Sequence, residues 1–180
     1  MSIELTLFVV VSVLIISSIT LGYCLGQSRA TVGLYLDGVT QLPTRVEFER
    51  DLSQALSTRQ TTHILLIDLD NFKAVNDAYG HLVGDQILAS VAKKLQAEIA
   101  AQGMLYRWGG DEFVIIFNTE SSIVEKADID LQAFFATTKF TAGEMEMDLS
   151  CSLGWAKSRE NDGIETIFQR ADESLYKHKR

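Results

Sequence analysis

Two short stretches carry side chains that could do chemistry. Asp68-Leu69-Asp70 stands where an apolar run ends and Asn71-Phe72-Lys73 opens a helix, so carboxylates, a backbone carbonyl and free helix N–H groups crowd together. Carboxylates there invite a hard cation, and the N–H groups invite phosphate. A plainer reading is that Asp70 only caps the helix and Asp68 sits at a solvated strand edge. The second stretch is Gly109-Gly110-Asp111-Glu112-Phe113, a turn with two acids beside Arg107. Acids in a turn are usually solvated decoration. The combination carries more than either part, because a metal bridged by Asp68 and Asp111 beside a phosphate-binding helix start is what phosphoryl transfer requires.

The elements that must position these residues can be read from spacing. Pro43 begins a helix with Val46, Leu52, Ala55 and Leu56 on one side, and His63 to Leu69 is an apolar run of strand length. Leu82 to Ile99 carries Val83, Ile87, Leu88, Val91, Leu95 and Ile99 at spacings of three and four, which predicts an amphipathic helix. Met104–Trp108 and Glu112–Phe117 flank Gly109-Gly110, a pair able to take positive φ, and so predict a tight hairpin. Ser122 with Glu125 makes a capping box for a helix through about Phe135, Met145 to Ala156 reads as strand, and Ile164, Ile167, Phe168, Ala171 and Leu175 line a last helix. The fold class is α/β in the α+β sense: a mixed, partly antiparallel sheet flanked by helices. His63 and His178 read as surface or strand-end residues, Cys151 as a core filler, and Trp108 and Trp155 as packing groups.

The 180 residues are 47% hydrophobic with mean hydropathy +0.09, enough for a real core. The net charge of −8 falls outside residues 1–36, which hold only Glu4 and Arg29, and excludes a basic face for polymeric nucleic acid. Cys24 and Cys151 build neither a disulfide framework nor a zinc site, which suits a reducing compartment. Residues 5–25 are 21 positions without a charge, and at about 1.5 Å of rise each they span roughly 30 Å of hydrocarbon. A cleaved signal peptide would want a basic start and a shorter apolar stretch, and a lipoprotein signal ending at Cys24 would want a smaller residue than Tyr23. The expectation is one retained transmembrane helix over 1–26, a connector over 27–36 and one domain over 37–180. Arg29 favours a cytoplasmic domain on the inner membrane, and Ser18, Gly22 and Gly26 share a face that permits a second copy to approach.

Arg107-Trp108-Gly109-Gly110-Asp111-Glu112-Phe113 resembles the signature loop of the GGDEF family of diguanylate cyclases. Further matches follow in order. Asp37 to Arg45 is similar to the family's opening motif, and Asp68 to Lys73, Asn76-Asp77, Gly80-His81 and Gly84-Asp85 to its nucleotide-binding stretch. Ser152-Leu153-Gly154 and Ala171 to Tyr176 are similar to its closing strand and helix. The resemblance implies a nucleotidyl-cyclase-like fold in which Asp68, the Leu69 carbonyl and Asp111 bind Mg²⁺, with Mn²⁺ acceptable to the same oxygens. Glu112 would complete a second metal site or help deprotonate the attacking hydroxyl. Asn76 and Asp85 would read guanine, since a carboxylate accepts from guanine's N1–H and amine together. The Gly109-Gly110 turn and the N–H groups near Asn71, Phe72 and Lys73, with the Lys179 side chain, would hold GTP. The implied reaction condenses two GTP into cyclic di-GMP and two pyrophosphates between two copies of the chain.

The departures are specific. Gln41 and Thr44 replace the family's usual glycine and asparagine, and the arginine that commonly follows the closing lysine is lacking where the chain stops at Arg180. Ala100-Ala101-Gln102-Gly103 stands where many members carry an Arg-x-x-Asp site for inhibitory product, so no feedback through that site is expected. No sensor domain precedes the unit, so regulation is expected through the membrane helix or a partner protein. The alternative reading is a catalytically silent GGDEF module serving as a membrane-tethered, GTP-binding or protein-binding adaptor.

Overall fold

His63–Leu69 is apolar at all but its two polar positions because it is a central strand, covered on both faces and paired on both sides. The computed structural model describes residues 35–58, 61–99, 103–117 and 130–178. The elements are α1 (Arg45–Ser57), β1 (His63–Leu69), α2 (Phe72–Tyr79), α3 (His81–Ile99), β2 (Met104–Gly109) and β3 (Glu112–Phe117). There follow α4 over 130–137, β4 (Lys139–Ala142), β5 (Met145–Asp148), β6 (Cys151–Lys157) and α5 (Ile164–His178). The main sheet runs β2-β3-β1-β6 with every neighbouring pair antiparallel, and β4 and β5 form a separate two-stranded ribbon. The fold is α+β, with helices on both faces of the sheet.

Alternation along β1 divides the core. Leu65, Ile67 and Leu69 pack on one face with Ile87, Leu88, Val91 and Leu95 of α3. Ile64 and Leu66 pack on the other with Phe48 and Leu52 of α1 and with Ile167, Ala171 and Leu175 of α5. Each such fully buried side chain contributes about 1.5–3 kcal/mol, so β1 is fixed in register by both layers at once.

Several expectations need correction. Met145 to Ala156 is two strands in different sheets: β5 turns back on β4 through Gly143, at φ 60°, and the chain breaks at Leu149-Ser150 before β6. An apolar-rich stretch does not reveal such a change of partner. The helix starts at Arg45 rather than at Pro43, Val46 faces solvent, and the buried side of α1 carries Glu47, Phe48 and Leu52, because Phe48 and Leu52 are the positions that meet β1 and α5. His63 stands at a strand end, as the first residue of β1, but is fully buried rather than at the surface, between Phe117 and Lys157 on the neighbouring strands. The Ser122–Glu125 capping box, the membrane segment over 5–25, the small-residue face and most of the connector lie outside the described residues. Among the described residues no helix is long and apolar enough to cross a membrane.

Gly154 is where α5 comes closest to the sheet. A Cβ there would collide with the Leu175 Cβ and N and with the Ala171 carbonyl, which are backbone or backbone-attached atoms that cannot move aside. Gly154→Ala is therefore expected to cost about 1–3 kcal/mol, or roughly 2–4 °C of thermal midpoint for each kcal/mol. Gly38→Ala, with nothing within 4 Å of its Cβ, is the control; equal midpoints for the two variants would contradict this packing.

Candidate active site

The site lies where β1 ends against the β2–β3 hairpin. Asp68 stands opposite Glu112 in the β1–β3 register and opposite Ser152 in the β1–β6 register. One residue further on, the Leu69 N–H donates to the Asp111 carbonyl at 3.2 Å, which ties the hairpin tip to the strand end. Gly109 pairs with Glu112, so the two turn residues are Gly110 and Asp111. Of the two glycines able to take positive φ, Gly110 does so, at 45°, and Gly109 does not. The irregular register between Arg107 and Gly109 is what lets the turn present Asp111 and Glu112 at adjacent positions. Asp68 and Asp111 are half-buried, Leu69 is buried, and Gly110 and Glu112 are exposed.

The chain then passes directly into α2. Asp70 does not cap that helix. Its N–H donates to the Ser150 carbonyl at 2.9 Å, and its carboxylate accepts from Ser152 Oγ at 2.7 Å. The capping position belongs to Asn71, in the left-handed region at φ 53° with no side-chain cap bond. The Phe72 ring is buried, so only the backbone of that residue is available to a ligand, while the Lys73 side chain is exposed. First-turn N–H groups have no partner within their helix, and that of Ala74 is taken by the Asn71 carbonyl.

At the far end of α2 the chain turns through Gly80, at φ 82°, into α3. Asn76 lies against Gly84, where an added Cβ would land on Asn76 Oδ1, and Asp85 is the next residue, exposed on α3. Arg107 joins this corner to the hairpin. It is 8% exposed, its N–H donates to the Pro43 carbonyl at 2.8 Å, and its guanidinium lies 4.8 Å from the centre of the Phe113 ring. Burial lowers its pKa, and the carboxylates of Asp37, Asp111 and Asp85 act in the opposite sense. Asp37 is raised by burial but, on balance, is held below the usual carboxylate range by the Thr40 hydroxyl and N–H.

The expected residues thus fall into three adjoining groups. Asp68, Leu69, Asp111 and Glu112 meet at the sheet end; Asn71, Phe72 and Lys73 follow at the start of α2; Asn76 and Asp85 flank the α2–α3 corner. Lys179 lies outside the described residues. Arg107, Ser152 and Asp172 were not singled out by sequence. Asp172 lines a cavity of about 40 Å³ behind Asp68 and Glu112, together with Trp108 and Phe168. Trp108 is a packing group, stacked on Phe168 at 4.1 Å, and Trp155 and Cys151 pack at the core's margin.

The donors fit a hard divalent cation that arrives with its ligand. Among the described residues no three potential ligands converge on one point, and a Mg²⁺ site is ordinarily made by one or two carboxylates plus substrate phosphates rather than by a full protein cage. The oxygens of Asp68, Leu69, Asp111 and Glu112 are the ones that would supply the protein's share.

This fold and this corner define a nucleotidyl-cyclase-like domain. Residues 34–180 match the family model described as "Diguanylate cyclase, GGDEF domain", and the chain belongs to that family. It is 37% identical over 147 residues to a probable diguanylate cyclase, DgcI, of Escherichia coli, covering 81% of this chain and 31% of that one. It is 32% identical to diguanylate cyclase DgcS of Shewanella oneidensis, covering 79% and 49%. The chain spans less than half the length of these curated relatives. Among solved structures, it is similar to the GGDEF domain of DgcB from Caulobacter crescentus in complex with c-di-GMP, with TM-score 0.74 and 28% identity over 81% of this chain and 87% of that one. It is also similar to diguanylate cyclase SiaD of Pseudomonas aeruginosa in complex with its activator SiaC, with TM-score 0.78 and 25% identity over 98% and 70%.

The Asn76–Gly84 contact gives a direct test of the corner. Gly84→Ala must push Asn76 Oδ1 away, and because that atom ends a flexible side chain the cost is small. The thermal midpoint is expected to stay within about 2 °C, less than about 1 kcal/mol, while the Asn76 side-chain amide resonances move. Unshifted Asn76 resonances would show that the two residues do not touch.

Proposed function

We propose that this chain is a diguanylate cyclase that condenses two GTP into cyclic di-GMP and two pyrophosphates. The observation that carries the reading is the pairing of the strand end with the signature hairpin: Leu69 N–H to the Asp111 carbonyl, and Asp68 opposite Glu112. Every acid that the chemistry asks for is present at that junction. The named cyclases among the relatives support the same substrate class.

In this reading each step forms a bond between a 3′-oxygen of one GTP and the α-phosphorus of the other, and breaks the bond from that phosphorus to the β-phosphate oxygen. Pyrophosphate leaves and the hydroxyl proton passes to a base, for which Glu112 is placed. Asp68, the Leu69 carbonyl and Asp111 would hold a Mg²⁺ or Mn²⁺, which would supply charge stabilisation at the α-phosphate, and Glu112 would complete a second metal site where it does not act as the base. The N–H groups of Asn71, Phe72 and Lys73, the Gly109-Gly110 backbone and Lys179 hold the triphosphate. Asn76 and Asp85 take the guanine, Asp85 accepting from N1–H and the amine. Two nucleotides must be joined and each domain holds one, so the active unit is an antiparallel homodimer. The uncharged stretch 5–25 would tether the domain at the cytoplasmic face of the inner membrane and raise the effective concentration of a second copy. The complex of SiaD with its activator supports control by a partner protein.

The decisive assay incubates the full chain, in detergent or nanodiscs, with GTP and Mg²⁺ and separates the products by chromatography. Cyclic di-GMP is expected. Asp111→Asn should lower its formation by more than about 100-fold, since even indirect partners of a metal site cost about 10- to 100-fold. The variant should unfold at the same temperature, because a hairpin-tip acid adds little to the core. Retained turnover in Asp111→Asn would overturn the metal assignment; GTP binding by a demonstrated dimer without product would favour the silent adaptor.

A further inference from the structure

Guanine presents two kinds of group on adjoining edges. Its N1–H and amine donate, and its O6 and N7 accept. Asp85 is a carboxylate and can answer only the donors. A pocket that closes over the base while leaving O6 without a donor would forfeit selectivity, because an unpaired buried acceptor bears its full desolvation cost.

The Asn76 amide brings one donor nitrogen for the two acceptors, and Arg107 has a further donor to offer. Its side chain is more than nine-tenths buried, and its Nη1 has no hydrogen-bond partner. Buried donors left unpaired are rare in folded proteins and mark places where something else completes them. The carboxylate that might have taken this one, Asp37, already accepts at Oδ1 from the Thr40 N–H at 2.8 Å and hydroxyl at 2.7 Å. Direction follows from the sheet. Leu105, two residues earlier on β2, and Phe113, opposite Arg107 on β3, both belong to the core face shared with Ile87 and Leu88 of α3. Arg107 therefore points to the same face, at the end of the sheet nearest the first turns of α3, where Asp85 sits. Asp85 and Asp111 both act on its charge.

The rest of the residue is held still. The main chain is bound to Pro43 and bridged to Thr44, and the guanidinium lies against Phe113. A guanidinium carries its N–H bonds in one plane as a rigid fork. That fork matches the O6 and N7 acceptors of guanine.

We propose that Arg107 is a specificity-determining residue that donates to the O6/N7 edge of the guanine whose N1–H and amine Asp85 accepts. This rests on the guanine reading of Asp85 given above, and the test separates the two. The full chain is titrated by calorimetry with 3′-deoxy-GTP, which lacks the attacking hydroxyl and so cannot react, with its 7-deaza analogue, and with the inosine analogue. The 7-deaza compound loses only the N7 acceptor; the inosine compound loses only the amine.

The parent chain should bind 3′-deoxy-GTP about tenfold more tightly than the 7-deaza analogue, the worth of one hydrogen bond to a charged group. In Arg107→Lys, whose ammonium is a point charge without the fork, that ratio should fall below about threefold while the inosine penalty persists. Arg107→Gln gives the same comparison if the lysine variant does not fold. A ratio near one in the parent, or a full ratio kept in either variant, would overturn the assignment to Arg107. A residue that only braced the hairpin would weaken all three nucleotides equally and leave the ratio alone. Failure of the parent reading looks different: no nucleotide binds, or the inosine analogue binds as well as 3′-deoxy-GTP.

Discussion

The antiparallel register between β1 and β3 sets the site. With Asp68 opposite Glu112 and the Leu69 N–H on the Asp111 carbonyl, four oxygen-bearing groups meet without any of them leaving regular secondary structure until the turn itself. A slip of one residue would move Leu65, Ile67 and Leu69 from the α3 face to the α5 face and take Asp68 away from the hairpin. The core forbids that slip from both sides, and so the alternating Leu and Ile residues of β1 act on the chemistry through geometry alone. Stability and function depend here on the same choice of partners.

A second strand closes the arrangement. β6 pairs with the opposite side of β1, and its Ser152 hydroxyl, with the Ser150 carbonyl just before it, holds Asp70. This turns the Asp70 carboxylate away from the acid cluster and leaves Asn71 to begin α2 in the left-handed region. One aspartate of the pair stays at the strand end opposite Glu112, and the other is bonded into the loop that leads to α2. Adjacent residues of a strand face opposite ways only while the strand lasts; beyond Leu69 the orientation is set by these two bonds instead.

Much of this was legible in the sequence, and the reasons differ from part to part. The α3 helix and the β2–β3 hairpin were plain because periodicity and glycine placement are local signals. The cluster of Asp68, Asp111 and Glu112 was legible because several motifs stand in order along the chain. The break between β5 and β6 was hidden, since Leu149 continues the apolar pattern while the partner strand changes. The burial of His63 was hidden too, because it depends on Phe117 and Lys157, far along the chain. The Asp70 carboxylate looked like a cap by sequence, and only Ser152, 82 residues away, reveals its use. Arg107 gave no signal of its own beyond standing two residues before the double glycine; its importance lies in being buried.

Charge explains why so acidic a corner suits an anionic ligand. Asp37, Asp68, Asp85, Asp111 and Glu112 lie along adjoining parts of this region and are part of the chain's net −8, and a polyphosphate brought there alone would be repelled. Three features offset this: the amide dipoles at the start of α2, a divalent cation shared between carboxylates and phosphates, and the buried charge of Arg107. The first two act on phosphate and are indifferent to the base. Only the third lies at the α2–α3 corner, so in the proposed reading affinity for the triphosphate and choice of the base would be governed by different residues. That separation requires the guanidinium to stay charged where water is scarce, and the carboxylates of Asp37, Asp111 and Asp85 are what oppose the effect of its burial. In the proposed reading Asp111 and Asp85 therefore serve twice, toward the nucleotide and its metal and as counter-charges that offset the desolvation of Arg107.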